Sequence, residues 1–327
     1  MTAITQPSTT AAGAVLWRIA QAVVLVVTVG LIVELFFDEK LALFVLWNIL
    51  IPLVPASLLI SPLIWRNVCP LATITTWVNP NPGRKLSAGA AARTGIVAVA
   101  LLMILVPARR FFFNTDGTVL GAVIIAVVLA ALVLGVLFDT KAGFCNAICP
   151  ILPVERIYGQ APLMHVPNAR CPTCSLCTQR GCIDLAPTKS IAQTLGHARV
   201  STAWLRTGFG VFAALLPGFI IGYYTLDNVA PAAAGSVYLH VALWAAGSYL
   251  LTSAVVFLLR PDSAVAMVVL GGAAVGLYYW YTADVVLSAM HVAGLWTMAL
   301  RGVMILLVGI WLAEALPRAV AHRSGAA

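Results

Sequence analysis

The stretch TVLGAVIIAVVLAALVLGVLF, Thr118–Phe138, contains no charged residue, and after Thr118 every position is apolar or glycine. A helix of a soluble protein keeps a polar stripe toward water; a run of about 20 residues that is apolar on every side matches bilayer hydrocarbon instead. The rest of the chain has the same character. Of its 327 residues, 61% are hydrophobic and only 9% charged, and the mean hydropathy is +0.99. Soluble domains carry about 25% charged residues, which excludes an ordinary cytosolic enzyme. Disorder is excluded as well, since it requires few apolar residues and high charge. Seven cysteines are too sparse for a secreted disulfide scaffold.

Working outward from that run, further spans are expected near Ala14–Phe37, Leu41–Ile64 and Ala88–Pro107, then near Trp204–Leu226, Ala233–Leu259, Ala264–Asp284 and His291–Pro317. The fold class is therefore all-α: a polytopic membrane protein of about eight transmembrane helices. The first span does not read as a cleaved signal peptide, because its apolar run is too long and no basic segment precedes it. Eight crossings divide the basic residues 15 against 3, with Lys40, Arg109 and Arg110 on the poorer side and Arg301 inside the last span. The positive-inside rule then places both termini and the long polar loop in the cytoplasm of a bacterial-type inner membrane. The net charge of +8 is explained by topology, and no nucleic-acid motif accompanies it.

All seven cysteines fall in two loops on that same side: Cys69 in one, and Cys145, Cys149, Cys171, Cys174, Cys177 and Cys182 in the other. The cytoplasm keeps thiols reduced, so clustered cysteines there read as metal ligands. Cys171-Pro-Thr-Cys174-Ser-Leu-Cys177 presents three thiolates at successive x2 spacings, which lets one loop wrap a [4Fe–4S] cube. Zinc sites use such pairs too, but as two pairs with a longer spacer between them. Cys182 follows after four residues rather than three, Gly181 being the extra one. The chain thus divides into 1–138, four helices with a Cys-Pro loop; 139–203, a cytoplasmic iron–sulfur segment; and 204–327, four further helices.

Cys69-Pro70 and Cys145-Asn-Ala-Ile-Cys149-Pro150 form an internal repeat, each copy following a transmembrane run. Aligned on Cys-Pro, Trp65 stands where Cys145 stands in the second copy. The C-x3-C-P turn after a span, Glu155 shortly after it, and the cysteine run downstream resemble the membrane polyferredoxins of the NapH and NosR type. The resemblance covers about Leu41–Ile191. It implies a ferredoxin-like cytoplasmic loop region, two [4Fe–4S] clusters on eight cysteines, and a place among quinol-oxidising subunits or accessory proteins of respiratory enzymes. With seven cysteines, two partitions stand. Cys171, Cys174, Cys177 and Cys182 hold one cluster while Cys69, Cys145 and Cys149 hold a second with a non-cysteine or open position. Alternatively Cys182 joins Cys69, Cys145 and Cys149, as ligands cross over in two-cluster ferredoxins. A single cluster would leave thiols unused.

His240 and His291 lie near the outer ends of their spans. As a pair they could ligate a b-type haem or bind a quinone head group, although most interfacial histidines are hydrogen-bonded structure. Arg301 lies about ten residues into its span and calls for a partner, with Asp284 or Glu34 as candidates. Arg109 and Arg110, followed by three phenylalanines, suit an outer-interface anchor or a quinol head group. Lys141, Arg156, Arg170, Arg180 and Lys189 read as topology determinants, or as charges that offset those of a cluster.

The expected function is electron relay between the cytoplasmic face and a quinone or another membrane or periplasmic redox partner, as one component of an oxidoreductase system rather than a stand-alone enzyme. Membrane lipid and other subunits of a respiratory or assembly complex are the expected partners. The alternatives are an accessory protein for maturation of a respiratory metalloenzyme, and a transporter or sensor with a regulatory cluster.

Overall fold

A computed structural model describes residues 11–78, 83–169, 171, 177–179, 181–200 and 202–324. Its helices are α1 (Ala11–Phe37), α2 (Glu39–Ile60), α3 (Pro62–Val68), α4 (Pro70–Val78), α5 (Ala88–Phe113), α6 (Gly117–Leu137), α7 (Leu152–Tyr158), α8 (Pro187–Leu195), α9 (Gly208–Tyr224), α10 (Ala234–Leu259), α11 (Ser263–Ala289) and α12 (Leu295–Ser324). Among the described residues there is no β-strand, only an isolated bridge between Leu86 and Thr178. Seven helices, namely α1, α2, α5, α6, α10, α11 and α12, are long and apolar enough to cross a membrane.

The fifth expected span, Trp204–Leu226, differs. Trp204–Arg206 belongs to a tight 3-10 turn, and α9 starts only at Gly208, where the Thr207 hydroxyl accepts from Gly210 N at 3.0 Å. Its 17 residues reach about 25 Å, short of the roughly 30 Å of hydrocarbon. The reason is its place: α9 is the inner helix of the bundle, with most of its side chains buried against α5, α10 and α11 rather than lipid. Gly218 and Gly222 let α10 approach closely; a Cβ on Gly218 would overlap the Trp244 carbonyl. α9 still carries the chain to the far end, where Arg110 at the end of α5 donates to the Tyr223 carbonyl at 2.9 Å and stacks on the Tyr223 ring.

Two other boundaries move for local reasons. The second span stops at Ile60 because Ser61, placed before Pro62, is extended at φ −165°. The last begins at Leu295 because His291 (φ 58°) and Gly294 (φ 92°) turn the chain. Elsewhere polar caps fix the starts: Ser87 accepts from Ala90 N, and Asp116 from Val119 N. α1 exposes Val15, Leu16, Ile19, Val23 and Val26, an apolar surface suited only to lipid.

The chain alternates between two ends of this bundle. Glu39 of α2 accepts from Gly117 N at the far end, and the Leu35 carbonyl of α1 lies against the same glycine, so α1, α2 and α6 meet there. The near end gathers the short helices α3, α4, α7 and α8, and with them every described cysteine.

Candidate functional site

α3 ends at Cys69, whose amide donates to the Trp65 carbonyl at 2.8 Å; Pro70 then begins α4, where its missing N–H costs nothing. In the second copy of the repeat, the amides of Ala147, Ile148 and Cys149 all converge on the Phe144 carbonyl at 3.1 Å. Gly143 makes that turn possible, since a Cβ there would collide with the Leu134 carbonyl and the Phe138 ring. These two turns bring Cys69, Cys145 and Cys149 into one apolar cluster with Ala72, Ala131 and Phe144. Burial pushes the Cys145 thiol up to about 12, with Cys69 beside it adding to the effect. Cys149 is raised well above its ordinary value by burial and by the neighbouring Glu155 carboxylate, and Glu155 acts on Cys69 and Cys145 as well.

A second group forms around Cys177, which packs with Leu86, Ala142 and Ala147. Leu86 N donates to the Cys177 carbonyl at 2.8 Å, and Gln179 N to the Leu86 carbonyl at 3.1 Å, tying this loop to the entrance of α5. Cys171 and Cys182 each lie within electrostatic reach of Cys177. Burial raises Cys171 to about 11 and Cys182 to about 12. Cys174, Arg170 and Arg180 lie outside the described residues, as does the Thr2–Thr10 segment.

Between the two groups runs a buried ion network centred on Arg66. Its Nε and Nη2 donate to the two oxygens of Asp184 at 2.9 and 2.6 Å, Nη1 donates to Glu155 Oε2 at 2.5 Å, and Nη2 donates to Asn146 Oδ1 at 3.0 Å. Lys141 Nζ adds a bond to Asp184 Oδ1 at 3.0 Å. Arg66, Lys141, Glu155 and Asp184 are each 1–4% exposed, so these charges have lost almost all hydration. Burial works to raise Asp184, but Arg66 and Lys141 outweigh it and hold the carboxyl well below the usual range. Lys141 lies within electrostatic reach of Cys171 and Cys145, one from each group. Arg156 is also buried, 7% exposed; its Nη2 reaches the Gly181 carbonyl at 3.4 Å, and its Nε has no hydrogen-bond partner. Burial lowers it to about 10, and Cys182 is among the groups around it.

Supports hold the loops in place. Asn67 donates to the Pro167 carbonyl at 2.9 Å and accepts from Ala169 N at 3.0 Å, while Asn168 accepts from Cys171 N at 3.0 Å. From α1, Gln21 donates to the Asn67 carbonyl at 3.0 Å. Thr140 adopts a left-handed φ of 41°, and its hydroxyl lies beside the Cys177 thiol, where it works against the upward effect of burial.

Of the basic residues read as topology determinants or as charges that offset a cluster, Lys141 and Arg156 turn inward, and Arg66 does so with them. Sequence reasoning missed Asp184, Asn146 and Asn67 altogether. A signal was present, since Asp184 is one of only 11 acidic residues in the chain and follows Cys182 by two positions.

The other candidates lie elsewhere. His240 Nε2 pairs with the Thr225 hydroxyl at 3.0 Å, whereas His291 is exposed in the turn between α11 and α12. Arg301 finds its partner in neither Asp284 nor Glu34; it donates to the Trp280 carbonyl at 2.8 Å and stacks on the Trp280 ring. A ring and a carbonyl settle a guanidinium without a second buried charge. Arg109 stacks on Trp47 in the same way.

Among the described residues, no three His, Cys, Asp or Glu side chains are placed to hold a single metal ion. No family model, curated protein or solved structure matches the chain.

Proposed function

We propose that the chain is a membrane-integral electron-transfer protein with two [4Fe–4S] clusters at the near end of its bundle. The observation that carries this reading is that Cys69, Cys145 and Cys149 share one apolar cluster while Cys171 and Cys182 lie around the buried Cys177, with one ion network beside both sets. Cys69, Cys145 and Cys149 would hold one cluster, with Glu155 the carboxylate beside all three. Cys171, Cys177 and Cys182, with Cys174 from the same run, would hold the other.

The donor set suits such a group. A cube offers each thiolate a separate iron, whereas zinc needs its four ligands converged at about 2.3 Å. Thiols raised by burial stay protonated until a metal displaces the proton. The buried cations Arg66, Lys141 and Arg156 provide the positive charge that an anionic thiolate cluster would need in a buried site. When bound, each cluster would take up and release one electron at a time; the residues around it position it and set its potential.

The charge distribution supports a cytoplasmic near end. The electron donor and acceptor would then be a redox protein on that side and a quinone or protein partner in the membrane. Anaerobic purification with iron, sulfide and EPR measurement tests the reading. About eight irons and eight acid-labile sulfides per chain are expected; a protein holding zinc without sulfide would overturn it.

A further inference from the structure

The two cysteine groups are joined through one side chain. Asn146 follows Cys145 directly, so its backbone belongs to the first group. Its side chain reaches the second: Nδ2 donates to Cys177 Sγ at 3.8 Å. The amide could in principle face either way, but Arg66 decides. A guanidinium has only donors, so the atom that meets Arg66 Nη2 at 3.0 Å must be Oδ1, and the NH2 end is left for the sulfur. Arg66 is itself held by Asp184 and Glu155, so the orientation is over-determined. Asn146 is 3% exposed, which keeps water from competing for either bond.

We propose that Asn146 is the positioning residue that links the two groups, donating an N–H to the sulfur of Cys177 while its main chain is contiguous with Cys145. This rests on the assignment of a cluster to each group. Two consequences follow from the chemistry. A hydrogen bond to a cluster sulfur stabilises the reduced, more negative form, so the group that includes Cys177 has its potential raised by Asn146. The same residue provides a bonded connection between the groups: the main chain from Cys145, the Asn146 side chain, and one hydrogen bond. With both clusters bound, a single electron lost by one would be the electron gained by the other, with no bond broken.

The test is an EPR-monitored redox titration of the anaerobically purified full chain, wild type against Asn146→Leu and Asn146→Asp. Leucine removes the donor at nearly the same volume, and aspartate replaces it with an acceptor. At the potential where half of the affected wild-type cluster is reduced, the ratio of reduced to oxidised cluster is expected to fall about ten-fold in Asn146→Leu, which is 59 mV for a one-electron couple. It should fall further in Asn146→Asp. The second EPR signal should keep its midpoint, and iron and sulfide should match wild type. Unchanged midpoints, or equal shifts of both signals, would overturn the inference. Loss of iron from both variants would overturn it too, by making Asn146 a purely structural residue. Wild-type protein without clusters would instead remove the functional reading beneath it.

Discussion

Arg66 and Asp184 lie 118 positions apart and share two hydrogen bonds inside the protein, with both side chains 3% exposed. The pair joins the first Cys-Pro turn to the segment after Cys182, so the two cysteine-bearing loops share one charge network. Breaking a buried pair from one side leaves the other charge without compensation, at a cost of about 3–5 kcal/mol. Arg66→Met should therefore sharply lower the thermal midpoint in detergent. Lys141→Met should cost less, because Asp184 keeps both hydrogen bonds from Arg66. Equal effects of the two changes would show that Arg66 is not the centre of the network.

The grouping of cysteines makes a sharper prediction about metal content. Cys171→Ala and Cys182→Ala should remove the same EPR signal and about half the iron. Cys149→Ala should remove the other signal. If Cys182→Ala removed the signal lost in Cys149→Ala, ligands would be crossing over between the loops as in two-cluster ferredoxins.

Thr140 holds a left-handed φ of 41°, which a β-branched residue adopts only under constraint. Thr140→Gly relieves this, because glycine adopts the left-handed region without steric cost. A gain of about 1 kcal/mol is expected from thermal unfolding. Thr140→Val should give no gain, since it keeps the branched Cβ.

Gly218 sits where α9 and α10 approach most closely, against the Trp244 carbonyl and the Ser248 side chain. Gly218→Leu should force these helices apart at a cost of about 1–3 kcal/mol. Gly235, with open space around its α-carbon, should accept alanine without measurable change.

The side of the membrane can be read with reporters. A fusion after residue 320 and one within 139–150 should both report the cytoplasm, and a tag between α5 and α6 should be reached only from outside. Opposite behaviour of the first two would remove the eighth crossing made by α9.

Much of the bundle was legible in the chain, because lipid imposes a simple rule: every side of a spanning helix must be apolar. Thr118–Phe138 and Gly117–Leu137 differ by one residue at each end for that reason. α9 was misjudged in length because a helix packed inside the bundle is as apolar as one facing lipid, and composition does not distinguish the two. The cysteine loops were found through spacing, which is local. The ion network was not, because its partners come from four separate segments and a buried arginine reads in sequence like any other cytoplasmic charge. The repeat offered one hint: Arg66 aligns with Asn146, and the structure joins those two residues at 3.0 Å.

The distance along the chain between Arg66 and Asp184 also orders events during synthesis. Four spans leave the ribosome before Asp184 does, and Arg66 and Lys141 leave with them. Until that carboxylate arrives, Lys141 lacks its ion-pair partner and Arg66 has only Glu155 and Asn146. The network is therefore completed only after Cys69, Cys145 and Cys149 have been made, since Asp184 follows all three in the chain.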